Sequence, residues 1–377
     1  MKQIAFGAAL AALLAPLAAT PSWAVDYLIG VEQSMTGPIG FVGVPVANGV
    51  RIAADQINAS GMLGAGNRIV IDVQDTASDK TQALTLFSKF AGDPKVLAVV
   101  GPTSTVEALA VSPVANDRKI VMMATATSLE VLKPGPWSFK GTITPLQYMP
   151  PIAKYALEVG KVKRCAQVYD RQNESTAAQH VVFRDWVTQR GVTVVSEDGV
   201  LGSDTDFTAI ATKIVAANVD CVQISTQGPV SANIIVQLRQ AGLPATAKVF
   251  GSTSESAQQY LQIAGKAAEG VIFGADFAPG GMNDAGRAFV AEHRKRYNSD
   301  PDNYAAVGFT MMQLVASAIK SSGGNPTRES IRDALAATRN ADVIVGDGKF
   351  SLDENRVPNY TMALMVYRDG KQLLAPQ

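Results

Sequence analysis

The sequence predicts an α/β protein of two lobes, each a doubly wound, Rossmann-like parallel sheet, and three observations predict it. Strand-sized apolar runs alternate strictly with segments of helical periodicity, the pattern of a parallel sheet covered on both faces. That rhythm restarts after Pro150-Pro151. The stretch from Val25 to Gln377 is too long for one ordinary core and suits two.

In the first unit, Tyr27 to Val31 reads as a strand, followed by a loop at Thr36-Gly37-Pro38 and a helix with the inner stripe Val46, Val50, Ala53, Ile57. Asn58-Ala59-Ser60-Gly61 ends that helix. Ile69 to Gln74 is the next strand, 79–91 a helix carrying Leu84, Phe87 and Phe90, and Val96 to Val100 a strand closed by Gly101-Pro102. A helix over roughly 105–116 and a strand at Ile120 to Met123 follow. In the second unit, helices are expected at 150–159, 176–190, 206–217, 230–241 and 255–264. The strands between them are Cys165 to Tyr169, Val192 to Ser196, Cys221 to Ser225, Lys248 to Gly251 and Gly270 to Phe273.

Ahead of both units stands an export leader over residues 1–24: Lys2, an apolar run from Ile4 to Ala19, and a small-x-small site at Ser22-Trp23-Ala24. A membrane anchor fits less well, because Pro16 interrupts the run and a spanning helix needs about 20 apolar residues. No Cys follows the run to take a lipid, and no later segment reads as a span, so a soluble exported product is expected. Lys plus Arg and Asp plus Glu number 33 each, a balance that argues against a nucleic-acid partner. Cys165 and Cys221 both open strands, which are neighbours if the second sheet has the usual order; one bridge or two buried thiols both fit.

Ligands of such sheets sit at the carboxyl ends of the strands. There, Gly101-Pro102-Thr103-Ser104-Thr105-Val106-Glu107 pairs Ser104 with Glu107 in a capping-box pattern, and Thr127 with Glu130 repeats it one strand later. Two helix starts with N–H groups, hydroxyls and dipoles aimed at one point make a carboxylate cradle, unless the hydroxyls only cap their helices. Enzyme signatures are missing. Gly37, Gly40 and Gly43 have neither dinucleotide nor phosphate-loop spacing, His180 and His293 have no partners at metal spacing, and no G-x-S-x-G elbow occurs. His293-Arg294-Lys295-Arg296 reads as a solvated helix face. No catalytic residue, metal or cofactor is expected.

With its loops in this order, the chain resembles the branched-chain amino acid binding proteins, the type I periplasmic binding proteins of ABC importers. The carriers are Ser34-Met35-Thr36-Gly37-Pro38, Ala54 to Gly61, Val99-Val100-Gly101-Pro102-Thr103-Ser104, Phe207-Thr208-Ala209-Ile210, Ala268-Glu269-Gly270 and Pro301 to Ala306. The resemblance covers the whole mature chain. It implies a periplasmic receptor, a monomer, that closes on a small solute and hands it to an inner-membrane permease. It also implies a three-segment hinge near 142–146, 273–277 and 345–350, with 25–143 plus 277–345 as lobe one and 146–273 plus 350–377 as lobe two.

Carried over residue by residue, Thr105, Ala126 and Ser128, beside Ser104, hold the ligand carboxylate, and Phe41 or Val42 with Tyr304 form apolar walls. Facing positions are Glu174, Gln227 and Thr253. Thr253 stands where relatives place an acid for the ligand ammonium, so either Glu174 or Asp276 substitutes or the ligand has no ammonium. Branched-chain or other apolar amino acids and aromatic or short aliphatic acids or amides are the candidates. A sensor of the same fold, signalling to a receptor or regulator, is the alternative; a secreted enzyme lacks every expected constellation.

Overall fold

The computed structural model describes residues 24–280, 283–323 and 325–376, so all of the expected leader except Ala24 lies outside the described residues. The first lobe is built from β1 (Asp26–Gln33), α1 (Gly40–Ser60), β2 (Arg68–Asp75), α2 (Lys80–Gly92), β3 (Val96–Val100), α3 (Thr105–Asp117), β4 (Val121–Ala124) and β5 (Ser138–Lys140). Its strands run in the order β2-β1-β3-β4-β5 and all pair parallel. Strands β3 and β4 are almost wholly buried because helices cover both faces, which is why they read as unbroken apolar runs.

The second lobe follows with α4 (Pro145–Glu158), β6 (Arg164–Asp170), α5 (Glu174–Thr188), β7 (Thr193–Val200), α6 (Thr208–Ala216) and β8 (Cys221–Ser225). It continues through α7 (Gly228–Gln240), β9 (Lys248–Phe250), α8 (Gln258–Ala264) and β10 (Val271–Ala275). Helix α9 (Asp284–Tyr297), α10 (Asn303–Ser321) and α11 (Arg328–Ala336) return to the first lobe. Short strands β11 (Ala341–Asp342), β12 (Lys349–Leu352) and β13 (Pro358–Asn359) form a small antiparallel sheet, and β14 (Ala363–Arg368) and β15 (Lys371–Leu374) finish on the second. The large second sheet runs β15-β14-β10-β9-β8-β6-β7, parallel except for β14 and β15.

Helix α1 packs on α10 backbone to backbone. A Cβ on Gly49 would stand 1.8 Å from the Ala305 carbonyl oxygen, and one on Gly308 2.2 Å from that of Val46. Glycine is what lets Tyr304, at the start of α10, come beside the start of α1. Strands β6 and β8 are neighbours with Cys165 opposite Cys221, and the two form a disulfide, which settles the pair of readings left open. Among the described residues no helix is long and apolar enough to cross a membrane.

Four details differ from expectation. Helix α4 begins at Pro145, not near 150, because Thr144 and Gln147 form a capping box and Pro145 occupies the first turn, where its missing N–H costs nothing. Thr127 and Glu130 make no capping box: only a single 3₁₀ turn, Glu130–Leu132, stands there. The helix expected over 255–264 is split into a 3₁₀ turn, Ser254–Ser256, and α8. Past 350, Arg356 donates to the carbonyls of Leu132, Gly135 and Ser138, and the chain pairs with the second sheet only from Ala363.

Candidate functional site

The strand ends of the first lobe are tied to one buried carboxylate. Glu107, in the first turn of α3, accepts from Ser34 Oγ at 2.7 Å and Thr76 Oγ1 at 2.5 Å, which follow β1 and β2. It also accepts from the Ser104 N–H and hydroxyl at 3.0 and 2.9 Å, while Ser104 Oγ accepts from the Glu107 N–H, completing the expected capping box. The first N–H groups of a helix have no acceptor within it, so the start of α3 offers donors and a positive dipole end.

That helix start opens on a cavity of about 90 Å³ between the lobes. Ser104, Thr105 and Val106 form one wall with Thr125, Thr127 and, from α1, Val42. Across from them stand Tyr148 of α4, then Asn173, Ser175 and Gln179 around the start of α5, then Gln227 and Thr253. Thr142, Asp276, Asn303 and Tyr304 line it as well, with Ile39, Thr103 and Ser254.

Of the residues singled out by sequence, Ser104, Thr105, Gln227, Thr253, Asp276 and Tyr304 line this cavity, whereas Phe41, Ala126, Ser128 and Glu174 do not. Phe41 packs edge-on to Tyr304, with ring centroids 6.3 Å apart, and Val42 takes the wall position. Ala126 is fully buried, its carbonyl accepting from Thr142 Oγ1 at 2.6 Å. Ser128 Oγ donates to Glu174 Oε1 at 2.7 Å, joining the two lobes, as does the 2.5 Å contact between the hydroxyls of Thr127 and Ser175. Sequence reasoning missed Tyr148, Asn173 and Gln179. Asn173 carried a signal, since it caps α5 by accepting from the N–H groups of Ser175 and Thr176. Tyr148 was hidden by the misplaced start of α4.

Asp276 ties together segments far apart in the chain. Its Oδ1 accepts from Tyr360 OH and its Oδ2 from Asn303 Nδ2, both at 2.9 Å, and its carbonyl accepts from the Gly346 N–H at 2.7 Å. The same Tyr360 oxygen accepts from the Ile143 N–H at 3.3 Å. Burial pushes the Asp276 carboxyl above the usual range, against the two side-chain bonds that hold it down. Burial likewise raises Asp302, the cap of α10, to about 7.

Lys140, at the end of β5, is buried with its Nζ donating to the Thr127 carbonyl at 2.6 Å, and burial lowers its pKa to about 7. The unfolded chain holds this proton up to about pH 10.4, so between those values unfolding takes up a proton and stability attributable to Lys140 rises with pH. Relative to a Lys140→Met variant, the wild type is therefore expected to gain stability from pH 7 to 10, at most roughly 1.4 kcal/mol per pH unit. Denaturant unfolding of both proteins across that range checks this, and parallel profiles would refute it.

A model of the periplasmic binding protein family matches residues 27–372. A Leu/Ile/Val-binding protein of Rhizobium johnstonii is 27% identical over 367 residues, 97% of this chain and 98% of that protein. The leucine-specific-binding protein of Salmonella typhimurium is 25% identical over 344 residues, 90% of this chain and 91% of that one. Among solved structures, a leucine-binding protein of Thermotoga maritima superposes with a TM-score of 0.84 at 24% identity, covering 93% of this chain and 97% of its own. A branched-chain amino acid binding protein of Streptococcus pneumoniae, in complex with isoleucine, gives 0.85 at 23% identity over 92% of this chain and 98% of its own.

Proposed function

Because the chain belongs to the periplasmic binding protein family, whose members bind solutes and are not enzymes, we propose that it is the receptor of an ABC importer: it takes a small organic carboxylate into the interlobe cavity and presents it to a membrane permease. The observation that carries the ligand class is the start of α3, where Ser104, Thr105 and Val106 line the cavity and the N–H groups of Thr105 and Val106 have no acceptor within the helix. A carboxylate there meets several donors at once, in the low-dielectric setting where charge-assisted bonds count most. The names of the relatives, Leu/Ile/Val-binding and leucine-specific, agree with a carboxylate as the shared group.

Closure follows from the hinge. We assign 25–143 with 277–345 to one rigid body and the second sheet to the other, and place the third passage between Pro358 and Ala363. A solute bridging both walls then favours the shut arrangement by the difference of its contacts in the two arrangements. Export through residues 1–24 to the periplasm completes the reading.

The test is a thermal-shift screen on the chain from Val25, unfolded and refolded first to strip carried solute, against amino acids, aromatic acids, aliphatic acids and their amides. Saturation at 100 times Kd adds about 2.7 kcal/mol of stability. Thr105→Val keeps the shape of the side chain but removes its hydroxyl, and is expected to weaken a carboxylate about tenfold or somewhat more. Equal affinity of wild type and variant, or equal shifts from a carboxylate and its amide, would overturn the cradle.

A further inference from the structure

We propose that the second-lobe end of this cavity receives a neutral hydroxyl, so that the solute is a hydroxy-substituted carboxylic acid rather than an amino acid. The inference rests on the carboxylate reading above and asks what the opposite wall can satisfy.

Two side chains there are buried and unpaired. Tyr148 is 1% exposed and Gln179 4%, both line the cavity, and neither Tyr148 OH nor Gln179 Oε1 has a hydrogen-bond partner among the described residues. Burial raises the Tyr148 pKa, and Gln179 and Ser175 lie near enough to temper that rise without meeting hydrogen-bond geometry. A phenol at neutral pH has a proton to give, and an amide oxygen can only accept. One hydroxyl answers both, accepting from Tyr148 and donating to Gln179 through a single oxygen.

An ammonium fits this wall poorly. It only donates, so the Tyr148 proton stays unanswered, and away from water it needs an ionised acceptor. Asp276 is the one carboxylate among the described lining residues; Tyr360 and Asn303 already hold its two oxygens, and burial works against its charged form. Glu174 lies outside the lining and is engaged by Ser128. Thr253, where the sequence set an alcohol in place of an acid, is neutral as well.

Matched series decide the matter by calorimetry on refolded protein. One compares 2-hydroxy-4-methylpentanoate with leucine and 4-methylpentanoate; the other compares 4-(hydroxymethyl)benzoate with 4-(aminomethyl)benzoate and 4-methylbenzoate. In at least one series the hydroxy member is expected to bind about tenfold tighter, or more, than both companions, because a site built for a hydroxyl leaves its own groups unpaired without one. Tyr148→Phe and Gln179→Met should each erase that preference; circular dichroism checks their folding, and the wild-type comparison stands without them. Carboxylates that bind with the amino member tightest, or with no hydroxyl preference, would overturn this inference alone. No binding by any carboxylate would overturn the cradle and this inference together.

Discussion

Glu107→Leu is expected to lower the unfolding free energy by roughly 3–5 kcal/mol, among the largest losses available to a single substitution in this chain. Four donors converge on that carboxylate, from Ser34, Thr76 and both polar groups of Ser104. A leucine fills the space and leaves most of these donors without an acceptor in a buried setting, since only the Ser34 and Thr76 hydroxyls, 2.9 Å apart, can serve each other, and that costs more than the bonds themselves contribute. The loops so released are those that shape the cavity, so carboxylate affinity should fall with stability. Glu107→Gln keeps one oxygen acceptor and should lose less than the leucine variant. Urea unfolding of the three proteins measures the order, and a loss below about 1 kcal/mol for the leucine variant would show that the knot is a consequence of the fold rather than a support of it.

Replacing both cysteines, Cys165→Ala with Cys221→Ala, should cost about 4 kcal/mol. The bridge closes a loop of 56 residues, and the entropy withheld from the unfolded chain grows with the logarithm of that length. Its place in the fold makes a second, opposite expectation. Both cysteines open their strands, while the cavity lies at the carboxyl ends, so solute affinity should stay within about twofold. Guanidinium midpoints with and without reductant, set beside calorimetric affinities, give both numbers. Loss of affinity in proportion to loss of stability would contradict the separation.

Much of this was legible beforehand, and the reason differs from place to place. Strands β3 and β8 were placed to the residue, because a strand covered on both faces must be apolar throughout and ends where glycine, proline or serine begins. The Ser104 capping box was legible because its hydrogen bonds are local in sequence. The Thr127 pattern has the same letters but no helix behind it, and its hydroxyl bonds instead to Ser175, 48 residues away. Nothing local could reveal that. Tyr148 and Gln179 look like ordinary helical residues, and only the approach of the two lobes turns them toward one cavity. The small sheet of β11 to β13 was missed for another reason: strands of two to four residues are too short to carry a period.

The paired hydroxyls of Thr127 and Ser175, in the cavity lining, and the Ser128 bond to Glu174, outside it, run between protein groups alone. Two such bonds, at about 1 kcal/mol net each, weight the shut arrangement roughly thirtyfold over what it would otherwise be. On the reading proposed above, a cargo-binding event tips a balance already leaning its way, and some molecules travel shut with nothing aboard. A membrane partner that recognised shape only would then be answered by these idle receptors too, so the latch would set a floor of wasted encounters as well as a gain in affinity.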